Sequence, residues 1–221
     1  MKRFSCKAFL FDLDGVLVDS NAVVERAWRR WADRHQMNAE ELLLTIHGRR
    51  AVETIRDVAP ALDVEAEAQW LLQTEIEDIE GLKALDGAAD LLASLPPERW
   101  AVVTSGTLAL AKVRLETCGL PLPRTFVTAE QVRNGKPDPE GYLKGAELLG
   151  VDPTECIVFE DAPAGIEAAR KAGARVIGIT HTYPAAQLQR AHACISTLRA
   201  LQVRDDGEHF EVQCEDIRQI A

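Results

Sequence analysis

The chain has 221 residues, 47% hydrophobic and 27% charged, enough apolar material for a sizeable core in one domain or one domain with an insert. Its formal net charge of −10, from 25 basic and 35 acidic residues, argues against duplex nucleic acid and anionic membrane as partners. No run of about eighteen apolar residues occurs, and the first residues lack a signal peptide's apolar segment and cleavage site, so we expect a protein neither spanning a membrane nor exported.

The first informative stretch runs from Lys7 to Ser20. Its opening apolar run, rich in aromatic residues, is too short for a helix and reads as a strand buried on both faces. At its end the character flips. Asp12 and Asp14 stand two apart, so in extended chain both carboxylates leave one face, where they repel unless a cation or a shared proton holds them. A divalent cation is the simpler solution, and Gly15 then permits a tight turn or a close ligand. An EF-hand loop is poorly supported, because Leu13, Val16 and Leu17 occupy a stretch in which calcium ligands would alternate.

Over residues 21–35, Val23, Val24, Ala27, Trp28 and Trp31 recur at helical spacing, with Arg26, Arg29, Arg30 and Arg34 on the other side. Further helical patterns cover 39–46, 51–58 and 64–79, broken by His47-Gly48 and Pro60. No convincing strand lies between. Residues 21–83 therefore read as an all-helical cap inserted into a core made of residues 1–20 and 84–221. Trp28, Trp31 and Trp70 are assigned to the core of that cap rather than to a sugar platform.

From Leu85 onward helices and strands alternate, which implies a parallel sheet with right-handed crossovers. A helix is predicted over 86–95, a strand over 100–103 ending in Thr104-Ser105-Gly106, and a helix over 108–118 closed by Gly119. A short strand at 126–127 leads to the loop Asn134-Gly135-Lys136-Pro137-Asp138-Pro139, then a helix over 140–149. The strand at 156–159 ends in Glu160-Asp161, and Pro163 suits the first turn of the next helix. A strand over 175–180 follows, then a helix near 185–191, another after Ser196 and a strand over 209–212. The five cysteines, Cys6, Cys118, Cys156, Cys194 and Cys214, are odd in number and include no Cys-x-x-Cys pair, which fits a reducing cytoplasm and neither a disulfide framework nor a zinc site.

Three apolar runs thus end in polar pairs: Asp12 with Asp14, Thr104 with Ser105, and Glu160 with Asp161. In open parallel sheets ligands bind at the carboxyl ends of the strands, so the three pairs can meet in one crevice. Taken singly, Thr104 reads equally as a strand-end cap and Lys136 as a solvated loop lysine; the convergence is what argues for a site. Clustered carboxylates call for magnesium, a hard cation that prefers oxygen ligands. The chemistry that uses such a site is phosphoryl transfer, in which an anionic nucleophile meets an anionic phosphate and charge must be neutralised. Asp12 would accept the phosphoryl group, and Asp14 would protonate the leaving oxygen and later deprotonate water. Thr104, Ser105, Lys136 and backbone N–H groups at a helix start would hold phosphate oxygens.

The segments Phe11-Asp12-Leu13-Asp14-Gly15-Val16-Leu17-Val18-Asp19-Ser20, Val103-Thr104-Ser105, Gly135-Lys136-Pro137-Asp138-Pro139 and Glu160-Asp161-Ala162-Pro163-Ala164-Gly165 together resemble the haloacid dehalogenase superfamily. The resemblance spans essentially the whole chain and is closest to beta-phosphoglucomutase-like sugar phosphatases with a helical cap. It implies an α/β fold with a Rossmann-like core, Mg2+, and an aspartyl phosphate on Asp12. It also implies metal ligation by Asp12, the backbone carbonyl of Asp14, the Asp161 carboxylate and Glu160, the last directly or through water. His47-Gly48-Arg49-Arg50 resembles the cap segment that faces the active site in such enzymes, so Arg49 and Arg50 are expected to hold a phosphorylated substrate. The alternative for each arginine is a solvated helix start.

The implied activity is a magnesium-dependent phosphatase acting on sugar, sugar-alcohol or glycerol phosphates, as a monomer. A phospho-accepting receiver domain is the alternative of another class, but such domains carry neither an Asp14 equivalent nor a helical cap. A dehalogenase would need no magnesium carboxylates, and a phosphonatase would want a cap lysine. The nearer alternative is a phosphosugar mutase of the beta-phosphoglucomutase type. In those enzymes a histidine twelve residues after the nucleophile gates water, and the corresponding position here is Val24, which neither hydrogen-bonds nor carries a proton.

Overall fold

The computed structural model describes residues 1–219. Two strands open the chain and their burial patterns send them to different sheets. The first, β1 (Lys2–Cys6), alternates between exposed and more buried residues, whereas β2 (Ala8–Phe11) is buried throughout. Alternation suits a sheet with one wet face, and continuous burial suits a strand covered on both sides. After the two-residue β3 (Val18–Asp19) come four helices, α1 (Asn21–Arg34), α2 (Ala39–Leu43), α3 (Ala51–Val58) and α4 (Val64–Glu77), and the two-residue β4 (Lys83–Ala84). The short strands pair antiparallel, Val18 with Ala84 and Asp19 with Lys83, so the helical block leaves and rejoins the rest of the chain through one narrow stem.

The remaining elements are α5 (Ala88–Ser94), β5 (Trp100–Val103), α6 (Leu108–Thr117), β6 (Thr125–Val127), α7 (Glu140–Leu149), β7 (Cys156–Glu160), α8 (Pro163–Lys171), β8 (Arg175–Ile179), β9 (Ala193–Ile195), β10 (Gln202–Asp205) and β11 (Phe210–Cys214). Six strands form a parallel sheet in the order β6-β5-β2-β7-β8-β9, and β1, β11 and β10 form a separate antiparallel sheet. The α/β class is as the alternation predicts. The register aligns Phe11 of β2 with Val102 of β5 and with Phe159 of β7, so the next residues, Asp12, Val103 and Glu160, emerge at one level.

Side chains alternate across β2, and two apolar clusters result. Phe9 and Phe11 pack with Phe159, Leu92, Leu115 and Phe210 on one face; Ala8 and Leu10 pack with Val158, Tyr142, Ala146 and Ile166 on the other. The block α1–α4 has its own cluster of Trp28, Trp31, Ile55 and Leu71, with Trp70 packed at its edge. Trp31 keeps its indole N–H satisfied by donating to Glu67 at 2.9 Å, the polar handle a buried tryptophan needs. No helix among the described residues is long and apolar enough to cross a membrane.

The end of the chain departs from its sequence pattern. The helix expected near 185–191 is a series of separate turns, closed by Leu188 N–H to Ala185 O and Ala191 N–H to Leu188 O. Leu188 and Ala191 are both buried, and their spacing of three imitates a helical stripe. The next residue, His192, already donates its N–H to Val176 O at 2.8 Å, so pairing with the sheet draws the chain out before a helix can propagate. The helix expected after Ser196 is a single 3-10 turn, Leu198–Ala200. Five strands escaped the pattern: β1, the three-residue β9, the mostly exposed edge β10, and the two-residue β3 and β4, of which β4 begins at Lys83 inside the stretch read as free of strands.

Candidate active site

Asp12 is the first residue past β2, and its 4% exposure shows how far the strand end carries it inward. Its backbone N–H donates to Phe159 O, continuing the ladder by one residue, while Oδ1 accepts from Leu13 N–H at 2.8 Å. Lys136, reached from the other side, places Nζ 2.9 Å from Asp12 Oδ2 and donates to Glu160 Oε1 at 2.6 Å. Burial pushes the Asp12 carboxyl up to about 8; the charges of Glu160 and Asp14 push the same way and Lys136 opposes them. For Lys136 burial alone would favour the neutral amine, but the adjoining carboxylates of Asp12 and Glu160 outweigh it and raise its pKa. Lys136 is therefore a fixed positive charge against Asp12.

Glu160, fully buried, is saturated with donors. Its Oε1 accepts from Lys136 and from the Tyr142 hydroxyl, and its Oε2 accepts the N–H groups of Asp161 and Ala162. A Cβ at Gly165 would lie 1.6 Å from Glu160 Oε1, so only glycine lets α8 approach this carboxylate. Gly15 serves the neighbouring group in the same way. Its φ of +76° belongs to the left-handed region, and a Cβ there would lie 1.9 Å from Asp161 Oδ2. Burial, with the charges of Glu160 and Asp12 behind it, holds the Asp161 carboxyl well above the usual range.

Asp12, Glu160 and Asp161 each offer an oxygen within 4.8 Å of the others, so a buried acidic cluster able to hold a metal is present. Burial drives Asp12 and Asp161 toward their neutral forms, and a divalent cation beside them is what would hold the cluster ionised. The donors are all hard oxygens, the set that suits magnesium. Glu160 already accepts four hydrogen bonds, so Asp12 and Asp161 carry the freer oxygens.

Asp14 stands apart from that cluster. Its Oδ1 accepts from the Ser20 hydroxyl at 2.6 Å, and its Oδ2 accepts from Arg114 Nη1 at 2.6 Å. Ser20 occupies the N-cap position of α1 yet makes no side-chain cap bond, because its hydroxyl is spent on Asp14. The other Nη of Arg114 pairs with Glu75 of α4. Neither Arg114 nor Glu75 stands out in the sequence by type. The available signal is position: Arg114 lies on the buried stripe of Leu110, Ala111 and Leu115, and Glu75 lies one turn after buried Leu71.

A cavity of about 380 Å3 lies between the sheet ends and the helical block, lined by Asp12, Asp14, Asp161 and Thr104 from one side and by Trp28, His47 and Leu72 from the other. Thr104 both lines this cavity and caps the following turn, its Oγ1 accepting from Gly106 N–H at 3.0 Å. Ser105 lines it too, while its hydroxyl donates across to Gly48 O at 3.0 Å. Arg49 and Arg50 border the same space. Arg49 donates to Asp57 at 2.6 Å; Arg50 pairs with Glu53 and donates to the carbonyls of Val132 and Arg133. Both arginines therefore line the cavity while giving at least one N–H group to a protein acceptor.

The family model of haloacid dehalogenase-like hydrolases matches residues 6–173. Hexitol phosphatase A of Escherichia coli is 44% identical over 203 residues, covering 90% of this chain and 94% of that protein. Glycerol-1-phosphate phosphohydrolase 2 of Saccharomyces cerevisiae is 40% identical over 189 residues, 80% of this chain and 75% of that protein. A crystal structure of a hydrolase from Pseudomonas syringae superposes with a TM-score of 0.80 at 28% identity, covering 87% of this chain and 94% of its own. With strand ends, cavity and relatives in agreement, the chain belongs to the haloacid dehalogenase-like hydrolases, and it is an enzyme of that family.

Proposed function

We propose that the protein is a phosphatase that hydrolyses small phosphorylated sugars, sugar alcohols or glycerol phosphates, with Asp12 as nucleophile, Asp14 as general acid/base and residues 21–83 as a cap. The observation that carries this reading is that Asp12, with Lys136 Nζ 2.9 Å from its Oδ2, and Asp14 line one cavity whose opposite wall is the helical block. One oxygen of Asp12 attacks phosphorus while the bond from phosphorus to the ester oxygen breaks. The departing alkoxide takes the proton of Asp14, and Asp12 is left as an aspartyl phosphate. Water then gives its proton to Asp14 and attacks phosphorus, releasing phosphate and restoring the Asp12 carboxylate. Lys136 stays charged through both halves and offsets the anionic phosphoryl oxygens, and the Thr104 hydroxyl is available to bind one of them.

Magnesium held by Asp12, Asp161, the Asp14 backbone carbonyl and Glu160, the last directly or through water, would supply the remaining charge neutralisation. The cap excludes bulk water from the cavity and contacts the leaving group. Hydrolysis is favoured over transfer to a second sugar because Val24, which lines the cavity, cannot hold water back from the phosphorylated aspartate.

The test is phosphate release from hexitol, hexose, pentose and glycerol phosphates by wild type and by Asp12→Asn. Release by wild type alone is expected, and silence on the whole panel sinks the reading. Beta-glucose 1-phosphate with a trace of the 1,6-bisphosphate should yield inorganic phosphate faster than glucose 6-phosphate; the reverse would make the protein a mutase.

A further inference from the structure

Arg114 lies in the middle of α6 on an apolar stripe, its side chain 4% exposed. A charge at that depth must be answered, and carboxylates from two distant parts of the chain answer it. Asp14 accepts from Nη1 at 2.6 Å and Glu75 pairs with Nη2, while Nε is buried and bonds nothing among the described residues. Among the described residues the guanidinium is therefore held by its two acids. Adhesion between α4 and α6 does not explain this arrangement, because an apolar pair at positions 75 and 114 would hold two helices as well or better. What an apolar pair cannot do is grip a carboxylate oxygen of Asp14.

We propose that Arg114 is a positioning residue for the acid/base step: it fixes the aim of the Asp14 carboxylate toward the cavity, and Glu75 fixes Arg114 from the helical block. The inference rests on the reading of Asp14 as general acid/base. Ser20 and Arg114 take different oxygens of Asp14, so together they set both the place of the carboxylate and its plane. Removing Glu75 leaves the guanidinium free to turn about its remaining bond, and the aim of Asp14 loosens with it. Asp14, Glu75 and Arg114 all line the same cavity, so the group that is aimed and the groups that aim it share the space a substrate would enter.

The consequence depends on the leaving group. An alkoxide departing from a sugar alcohol or glycerol phosphate needs the proton of Asp14, whereas p-nitrophenolate departs without it. Because kcat/KM counts steps through departure of the leaving group, loss of aim must appear there on alkyl esters and not on the aryl ester. The experiment compares full-length wild type, Arg114→Met, Arg114→Lys and Glu75→Gln on a hexitol phosphate, a glycerol phosphate and p-nitrophenyl phosphate, with folding checked by circular dichroism.

Arg114→Met should lose about 100-fold in kcat/KM on the alkyl esters and less than about threefold on the aryl ester. Arg114→Lys should recover about tenfold of that loss, and Glu75→Gln should lose about tenfold with the same selectivity. If Arg114→Met fails to fold, the ratio of alkyl to aryl loss in the other two variants decides. Equal losses on both ester classes, or no loss in a folded variant, overturn the positioning role. A wild type that releases phosphate from none of the esters overturns the phosphatase reading and the inference with it, a result distinct from lost selectivity in an active enzyme.

Discussion

Asp12, Glu160 and Lys136 come from two adjacent strand ends and the loop beside them, whereas Asp14, Arg114 and Glu75 come from a turn, a helix under the sheet ends and a helix of the inserted block. The first cluster is fixed by sheet register: once β2 and β7 pair, Asp12 and Glu160 have little freedom left. The second is complete only while α4 lies against α6, because Glu75 comes from the block whereas Asp14 and Arg114 both belong to the core. The difference separates the two halves of the proposed chemistry. Handling of the phosphoryl group is built into the core, and handling of the leaving group is assembled across the boundary between core and block.

The largest expected effect breaks the first cluster. Asp12→Asn should lower turnover by about 10⁴-fold or more on every ester, alkyl or aryl, because an amide is no nucleophile. The fold should survive, since the change removes one of several crowded buried carboxylates. Activity within tenfold of wild type would return Asp12 to a structural role. Removing metal acts on the same cluster: excess chelator should cost about 10³-fold, magnesium should restore activity, and calcium should not, because its looser coordination spoils in-line geometry. Full activity in chelator would exclude the metal.

Arg50 offers a sharper cut between the clusters. It reaches the Val132 and Arg133 carbonyls, and its partner Glu53 accepts Gly135 N–H at 3.0 Å, so the pair pins the loop just before Lys136. Arg50→Ala should therefore lose about tenfold in kcat/KM on alkyl and aryl esters alike, because Lys136 acts on the phosphate common to both. A loss confined to alkyl esters would mean that Arg50 touches the leaving group, as its place in the sequence first implied.

How much of this was legible follows from the same division. Asp12, Thr104 and Glu160 could be found because each ends an apolar run, and a parallel sheet brings such ends together whatever their separation. The helical block was legible because residues 21–83 lack strand alternation. Arg114 was not. Its partners lie 100 and 39 positions away, and an arginine in a helix is ordinarily solvated. Only its place on the Leu110, Ala111 and Leu115 stripe marked it, and that mark says nothing about which acid it meets. Arg49 and Arg50 were legible as charges near the cavity, but their direction depends on Asp57 and Glu53, which compete locally for them.

The smallest effect comes from a charge pair outside the cavity, Asp216 with Arg218. Asp216, 3% exposed, accepts from Arg218 Nε at 2.9 Å and Nη2 at 2.7 Å and from Cys194 N–H at 3.2 Å. The Arg218 hydrogen bonds, against some opposition from burial, lower its pKa from 3.8 to about 2. A depressed carboxyl stabilises the fold above its unfolded pKa, and that contribution is lost as pH falls through 3.8 toward 2. It amounts to about 2 kcal/mol. Asp216→Asn should therefore lower the melting temperature by about 6 °C at pH 7. Denaturant titrations of the two proteins should converge as the pH drops below 4, while kcat/KM at pH 7 stays unchanged on alkyl and aryl esters. A shift in the alkyl-to-aryl ratio in this variant would show that any disturbed buried ion pair produces such a shift, and the division between the two clusters would then lose its basis.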